Sequence, residues 1–285
     1  MTSTRTGLIG ILVPVVSDLY FAGMLAGAAD GAQERDLRLV VSPTRHVHAH
    51  EASLLDNMRE GTDGALVILP EASSGELARA LDNSYPLVVV DPLLPLDDGI
   101  PSVVVAHRSG ADQAMAHLLG LGHRRIGAIT GPPGWVATEA RRAGYRASLE
   151  GAGIPFVPAL EVESDFELSA GAAAAAQLLD LPEPPTAIFA FSDAIAIGSL
   201  RSAVDRGLRV PEDLSIVGFD DIAHATVVRP ALTTVRQPLA EMGRTAIALL
   251  TRLLERGSVE TLRIELPARL VIRESTTAPR RSPLR

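Results

Sequence analysis

Cysteine is absent from this sequence, and its absence removes three kinds of chemistry. Disulfide bonds, zinc sites built on thiolates and cysteine nucleophiles are all excluded. Lysine is absent as well, so all 26 basic residues are arginines, and the formal net charge is -8 at pH 7. Because affinity for nucleic acid depends on basic side chains that neutralise phosphates, we expect that this chain alone does not bind DNA tightly.

Long apolar runs and enzyme signatures are missing too. No run approaches the roughly 18 apolar residues that a membrane-spanning helix needs, and the first residues lack the small-residue cleavage site of a signal peptide. These absences predict a cytoplasmic protein. No P-loop, HExxH, GxSxG or GxGxxG motif occurs, so nothing in the sequence favours an enzyme or a bound cofactor.

The 285 residues, 47% of them apolar, alternate short β-branched runs such as "LIGILVP", "GALVIL", "TAIFAF" and "LSIVGF" with helical patterns. Continuous apolar runs are typical of parallel strands buried on both faces. The alternation predicts an α/β fold of two doubly wound, Rossmann-like lobes. The predicted helices cover residues 21–35, 51–60, 75–83, 110–121, 138–150, 170–179, 194–206 and 239–256.

The lobes are expected to exchange segments. We assign residues 7–106 and 239–257 to the N-terminal lobe, and residues 107–238 and 258–276 to the C-terminal lobe, so that the chain passes between them three times. Residues 277–285 are expected to form a disordered tail.

A ligand of an open α/β sheet lies outside the carboxyl ends of the strands, at the point where the strand order reverses. With two such lobes facing each other, this position becomes a cleft. Polar and aromatic side chains that follow the predicted strands are therefore candidate ligand-binding residues: Tyr20, Phe21, Asp91, Trp135, Arg141, Phe166, Ser192, Asp193 and Asp220.

The motif "FAFSDAIAIG" places Ser192 and Asp193 directly after a buried strand. Either side chain can cap the following helix by accepting from its first amides, and the same position also faces the cleft. In "VGFDDI", the carboxylates of Asp220 and Asp221 repel each other unless donors, a cation or a polar ligand satisfy them. Asp220 is the better acceptor for sugar-type hydroxyls. A metal site is the alternative, although no third ligand has an obvious spacing.

The motif "TEARRAGYRASLEGAGI" places Arg141 near the start of a helix that follows a strand. Most helical arginines are solvated, but this end of a helix points into the cleft. We expect the Arg141 side chain to face a wet cleft, so that its removal barely changes the stability of the fold.

The aromatic candidates have structural alternatives. Tyr20 and Phe21 can form a hydrophobic staple on the following helix, or one of them can stack on a sugar or a base. Trp135 stands in "GPPGWVATEA", where no structural need for an indole is apparent. His46, His48 and His50 would share a face only on a strand, and the segment looks like a loop that enters a helix, so we expect solvated side chains there.

The whole chain from "RTGLIGILVP" to "LVIRES" resembles the LacI/GalR family, most specifically in "LGHRRIGAITGP", "RRAGYRASLEGAGI" and "PALTTVRQPLAEMGRTA". The resemblance implies a periplasmic-binding-protein-like fold (type I) with three crossover strands, which dimerises. It further implies that Arg141 and Asp220 contact an effector, that Asp193 and Ser192 do so from the second lobe, and that Phe21 and Phe166 line the pocket. Relatives often carry Asn at the position of Ser192, and Asp-Asn at positions 106 and 107.

The function implied is that of the ligand-sensing, homodimeric core of a transcription regulator. A small polar effector, a sugar or related polyol, would close the lobes and change operator affinity. Only six residues precede "GLIGILVP", so the N-terminal helix-turn-helix that reads DNA is expected to be missing from this chain. One alternative is the solute-binding protein of a transporter, which the absence of a signal peptide disfavours. Another is an enzyme that uses Asp220 and Asp221 as an acid-base pair.

Overall fold

A computed structural model describes residues 5–82, 85–256 and 262–280. The chain forms two compact units. The first unit takes the residues up to Val105 together with Pro238–Leu266, and the second takes Ala106–Gln237 together with the residues from Pro267 onward. The chain therefore passes between the units three times.

The first unit contains one six-stranded sheet in the order β11-β5-β4-β3-β1-β2, and every pairing in it is parallel. Its central strands β3, β4 and β5 are wholly buried, as expected for a parallel sheet covered on both faces. The elements of this unit, numbered along the whole chain, are β1 (Leu8–Val13), α1 (Leu19–Gln33), β2 (Arg38–Pro43), α2 (His48–Arg59), β3 (Gly64–Ile68), α3 (Ser74–Asp82), β4 (Leu87–Val90), β5 (Ser102–Val105), α9 (Leu239–Arg256) and β11 (Arg263–Leu266).

The second unit contains the other six-stranded sheet, in the order β12-β10-β9-β8-β6-β7. Its pairings are parallel except for that of β12, which runs antiparallel to β10. Its elements, with a short 3-10 turn at Pro158–Leu160, are α4 (His107–Gly120), β6 (Ile126–Thr130), α5 (Val136–Gly151), β7 (Glu161–Glu163), α6 (Leu168–Leu179), β8 (Ala187–Ala190), α7 (Asp193–Asp205), β9 (Ser215–Asp220), α8 (His224–Val227), β10 (Thr233–Arg236) and β12 (Arg269–Val271).

Each sheet has one point where the strand order reverses. In the first sheet β1 lies between β2 and β3, and in the second sheet β6 lies between β7 and β8. A ligand of such a sheet lies beside the carboxyl ends of the strands at this point. In the second unit, the loops that follow β6 and β8 lie at this point, and the loop that follows β9 is next to them.

The helix α9 follows Ala106–Gln237 of the second unit in the chain but belongs to the first unit, where it packs closely on α1. A Cβ atom on Gly27 would lie 1.8 Å from the carbonyl oxygen of Ala240, and one on Gly243 would lie 2.0 Å from that of Met24. Two glycines thus allow the backbones of the two helices to approach each other. Along the described residues, no helix has both the length and the apolar composition needed to cross a membrane.

The predicted assignment of residues 258–276 to the second lobe is wrong for β11. Arg263–Leu266 pairs in parallel with Ser102–Val105, so this strand completes the sheet of the first unit. A strand of four residues with an alternating pattern fits the edge of either sheet, and only the pairing decides between them. Residues 258–261 of this assignment lie outside the described residues.

The prediction that residues 277–285 form a disordered tail is wrong at the start of this segment. The amide of Thr277 donates to Ser215 Oγ at 3.0 Å, and His123 Nε2 lies 2.9 Å from the carbonyl oxygen of Thr277. These contacts attach the segment that follows β12 to the start of β9. Residues 281–285 of the predicted tail lie outside the described residues.

Candidate ligand-binding site

The first unit contains three candidate residues, Tyr20, Phe21 and Asp91, and the side chains of Tyr20 and Asp91 form a hydrogen bond. Tyr20 lies in the first turn of α1, where its amide donates to the capping side chain of Asp18 at 2.8 Å. Its hydroxyl donates to the carboxylate of Asp91, which follows β4. Phe21 is buried, and its ring meets that of Tyr20 edge-on at a centroid distance of 5.4 Å. Phe21 therefore packs into the core, while Tyr20 and Asp91 form a polar pair at the carboxyl end of the sheet.

In the second unit, Arg141 is held by several partners at once. Its guanidinium donates to the carbonyl oxygen of Phe191 and, at 3.2 Å, to Nδ1 of His107. The guanidinium carbon lies 3.7 Å from the ring centroid of Phe219. A desolvated cation-π contact of this kind is worth about 2 kcal/mol. These contacts fix the planar fork of donors in one orientation beside the ends of β8 and β9.

The expectation that Arg141 faces a wet cleft is wrong, because the residue is only 3% exposed. The sequence marks a position near the start of a helix, but it does not reveal that Phe219 lies beneath the guanidinium. Replacement of Arg141 by alanine would therefore also lower the stability of the fold, since it removes a buried stack and leaves the Phe191 carbonyl without this donor.

Asp220 is the last residue of β9 and lies close to Arg141. Its Oδ1 accepts from Nε2 of Gln237 at 2.7 Å and lies 4.0 Å from a terminal nitrogen of Arg141. The site thus places a carboxylate acceptor next to a guanidinium donor. Asp220 and Asp221 both adopt positive φ angles, of 121° and 60°, a backbone conformation that is uncommon for residues other than glycine.

Asp221 faces a different set of partners. Its carboxylate accepts from Nε of Arg236 and from a terminal nitrogen of Arg273, each at 2.6 Å. Two guanidinium groups therefore resolve the repulsion that the sequence predicts between the adjacent carboxylates. Among the residues that the structure describes, no group of three or more histidine, aspartate or glutamate side chains could hold a metal ion.

Ser192 and Asp193 have distinct roles at the start of α7. Ser192 is the N-cap residue, and its Oγ accepts from the amide of Ile195 at 3.2 Å, which confirms the predicted cap for Ser192. Asp193 is fully buried. Its Oδ1 accepts from Thr234 Oγ1 at 2.5 Å, and its Oδ2 accepts from the amide of Ile222 at 2.9 Å. Both oxygens of Asp193 are thus engaged inside the unit.

The electrostatic environment of Asp193 is unusual. Burial raises the pKa of its carboxyl well above the ordinary value, and the nearby Asp220 carboxylate raises it further, against the opposing effect of the hydrogen bonds from Thr234 and Ile222. A Cβ atom on Gly218 would lie 2.3 Å from Asp193 Oδ1. Gly218 therefore provides the space in which this carboxyl group lies.

Trp135 and Phe166 form an aromatic pair in the same unit. Their ring centroids are 5.7 Å apart with an interplanar angle of 40°, and both side chains are half-buried. A Cβ atom on Gly131 would lie 2.2 Å from Cζ of Phe166, so the ring occupies space that a glycine leaves. Trp135 is the N-cap residue of α5, but no side-chain cap bond forms there. The pair joins the loops that follow β6 and β7 and presents apolar surface there.

Three polar residues of this unit were not predicted from the sequence. His107, Thr234 and Gln237 contact Arg141, Asp193 and Asp220, respectively. Thr234 lies within β10, while His107 and Gln237 stand next to the boundaries between the units. Of the three, only His107 could have been suspected from the sequence, because relatives in the family that the chain resembles often carry Asn at this position.

The three histidines of "RHVHAHE" lie where the chain enters α2, as expected. His46 and His48 are not simply solvated, however, because His46 Nδ1 lies 3.5 Å from Glu71 Oε1 and His48 Nε2 lies 3.0 Å from Glu76 Oε1. Both histidine side chains are about half exposed. The first contact links the loop after β2 to the loop after β3, and the second links the start of α2 to α3.

The raised pKa of Asp193 predicts a pH-dependent effect of its replacement by asparagine. Because the folded-state pKa lies above the unfolded-state value, the stability that protonated Asp193 contributes is complete below the unfolded pKa and is lost as the pH rises towards the folded pKa. We expect the free energy of unfolding of the wild type, relative to Asp193→Asn, to fall as the pH rises from about 4, by at most about 1.4 kcal/mol per pH unit. Urea denaturation of both proteins across this range measures it, and a difference that does not change with pH would contradict the raised pKa.

Comparisons with known proteins agree with this geometry. The model of the periplasmic binding protein-like domain family matches residues 115–276. The HTH-type transcriptional repressor CytR of Escherichia coli (strain K12) is 35% identical over 272 residues, which cover 94% of this chain and 79% of that protein.

Solved structures of regulators are similar as well. The complex of the transcriptional regulator CelR with cellobiose has a TM-score of 0.87 at 31% identity, with 96% of this chain and 86% of that chain covered. A LacI family transcriptional regulator from Mycobacterium smegmatis has a TM-score of 0.85 at 32% identity, with 95% and 100% covered. These relatives are transcription regulators, which favours that interpretation over the solute-binding protein of a transporter. The chain belongs to the LacI family of transcriptional regulators and forms the periplasmic-binding-protein-like, effector-binding core of such a regulator.

Proposed function

We propose that the second unit binds a small polyhydroxylated effector, a sugar or related polyol, beside the carboxyl ends of β6, β8 and β9, and that this binding controls operator affinity in the intact regulator. The observation that carries the proposal is the fixed guanidinium of Arg141, which stacks on Phe219 and lies 4.0 Å from the carboxylate of Asp220. Donor and acceptor thus stand side by side at the carboxyl ends of β8 and β9, next to the point where the strand order reverses.

This pairing suits the chemistry of a polyol. Each hydroxyl of a sugar can donate one hydrogen bond and accept others. Arg141 offers a rigid fork of charged donors, and Asp220 offers acceptors. The rings of Trp135 and Phe166 offer apolar surface for the carbon face of the sugar. The hydroxyl of Ser192, which accepts from the amide of Ile195, still has a hydrogen with which to donate to the effector.

Asp193 takes a supporting role in this proposal. Since both of its oxygens accept from groups within the unit, it holds Ile222 and Thr234 in place beside Asp220 and is not a direct contact. In the first unit, Tyr20 and Asp91 are proposed to bind a polar group at the carboxyl end of that unit's own sheet, because their side chains pair there. Phe21 supports the position of the Tyr20 ring.

The relatives support a carbohydrate effector and a role in binding. CelR was solved in complex with cellobiose, and we infer that this chain takes an effector of similar chemistry.

We also infer that it is not an enzyme, because the pair of Arg236 and Arg273 holds Asp221 and leaves no acid-base pair at positions 220 and 221. We place the regulator in the cytoplasm. With a net charge of -8, this chain would rely on a separate basic module for contact with operator DNA.

Effector binding should depend on Arg141. A thermal-shift screen of cellobiose, ribose, other sugars and nucleosides identifies binders, because a bound ligand stabilises the fold. Calorimetry with the strongest binder should then show a loss of about 1.5 to 3 kcal/mol for Arg141→Lys, which is about ten- to a hundredfold in affinity, since lysine keeps the charge but loses the fork.

Arg146→Lys is the matched control. Arg146 lies on the same helix, stacks on Phe156 at 4.7 Å and pairs with Glu161, but it is not part of the proposed site. The affinity of this variant should equal that of the wild type. An Arg141→Lys protein that binds as tightly as the control would remove Arg141 from the site, and a screen without any sugar or polyol binder would contradict the effector class.

We further propose that the chain is a homodimer. Paired half-sites on an operator require a two-fold symmetric regulator. The first sheet ends in the edge strand β2, where Val40 and Val41 are 40% and 39% exposed. An exposed apolar edge strand is a template for pairing with another chain, and a second copy of this chain is the proposed occupant.

Light scattering at micromolar concentration should give twice the chain mass of 30.0 kDa. Val41→Lys should lower the measured mass towards that of the monomer, because a buried lysine charge at the interface is costly. Leu94→Lys changes a residue of equal exposure in the same unit and should leave the dimer intact. A monomeric wild type at this concentration would overturn the assignment.

A further inference from the structure

The end of β9 and the turn that follows it contain two consecutive residues in a costly backbone conformation. Asp220 and Asp221 have φ angles of 121° and 60°, and neither is a glycine. Such conformations persist only where the surrounding structure over-determines them, and they concentrate at functional sites. Some contact must therefore hold this turn in place.

The contact that holds it is the pair of arginines around Asp221. Arg236 is the last residue of β10, and Arg273 follows β12, the antiparallel neighbour of β10. Both approach the Asp221 carboxylate to 2.6 Å, and this side chain is only 5% exposed. Arg273 is itself fixed, because it also donates to the carbonyl oxygen of Leu232 at 2.8 Å. The turn is thus attached to two neighbouring strands at one edge of the sheet.

The residues on either side of Asp221 contact the proposed site. Asp220 Oδ1 accepts from Gln237, the residue that follows Arg236 in the chain. The amide of Ile222 donates to the buried carboxyl of Asp193. A shift of Asp221 would therefore disturb both neighbours together.

We propose that Asp221 is a positioning residue for effector binding: its two ion pairs hold the turn in which Asp220 faces Arg141, and they keep Arg236 and Arg273 from pairing with Asp220 instead. The proposal rests on the proposed role of Asp220 as an effector contact. Without the Asp221 charge, two guanidinium groups lose their carboxylate, and the adjacent Asp220 carboxylate is the nearest replacement along the chain. Asp220 would then turn away from Arg141.

The first test needs no effector. Hydrogen exchange of the segment 218–224 is compared among the wild type, Asp221→Asn and Asp213→Asn. Asp213 is a matched control, because it also pairs with two arginines, Arg209 and Arg280, at 2.8 and 2.9 Å. Exchange in this segment should become faster in Asp221→Asn alone, with the amides of β6 and β8 unchanged. Wild-type exchange of the segment in Asp221→Asn, or a uniform acceleration across the unit, would overturn the proposal.

The second test is a double-mutant cycle measured by calorimetry, with cellobiose as the probe. Asp220→Asn and Asp221→Asn should each weaken binding at least tenfold, and the double variant should bind no more weakly than Asp220→Asn, because Asp221 acts through Asp220. A purely structural role would not produce this non-additivity. Unchanged affinity in Asp221→Asn, or losses that multiply in the double variant, would contradict the positioning role.

Different results would contradict the effector site at Asp220 and the positioning role of Asp221. Wild-type affinity in Asp220→Asn, or no binding of cellobiose by the wild type, counts against the proposed function, and the exchange measurement then decides on the role of Asp221 by itself. If Asp221→Asn does not fold, Arg236→Met replaces it in both tests. The Arg236 side chain is 56% exposed, so its loss removes one ion pair with little change to the core.

Discussion

Three carboxylates lie buried at the carboxyl end of the second sheet, and a buried charge is very costly unless it is paired or neutralised. The fold meets this constraint differently for each. Asp193 has a raised pKa and two hydrogen-bond donors, Asp221 has two arginines, and Asp220 lies between Gln237 and Arg141. Of the three, Asp220 alone is paired with a residue that also belongs to the proposed contact surface. These different partners explain why the adjacent residues Asp220 and Asp221, which have identical side chains, take different roles.

The same constraint links the site to the path of the chain. Arg236 and Gln237 directly precede the second passage between the units, and Arg273 follows the third. Partners of Asp220 and Asp221 therefore come from the segments at which the chain changes unit. A regulator must convert ligand occupancy into a change elsewhere in the molecule, and contacts between the proposed ligand-binding turn and these segments offer a physical route for that coupling.

Much of the fold follows from the sequence, because continuous apolar runs and intervening helical patterns can form only a few arrangements. The predicted starts of α5 and α7 fall at residues 138 and 194, whereas the helices begin at Val136 and Asp193, since the residues near a cap carry little periodic signal. Arg141 and Asp220 could be named from the resemblance to a family, and the structure places them together. The burial of Arg141, the roles of His107 and Gln237 and the sheet that receives β11 depend on contacts distant in sequence, which no local pattern encodes.

We propose that Arg141 and Asp220 together recognise the hydroxyls of a small polyol. A crystal structure of the chain with the strongest binder from the screen tests it most directly. Ligand oxygens should lie within about 2.7 to 3.2 Å of both the Arg141 guanidinium and the Asp220 carboxylate. A ligand bound with neither side chain in hydrogen-bond contact would contradict it.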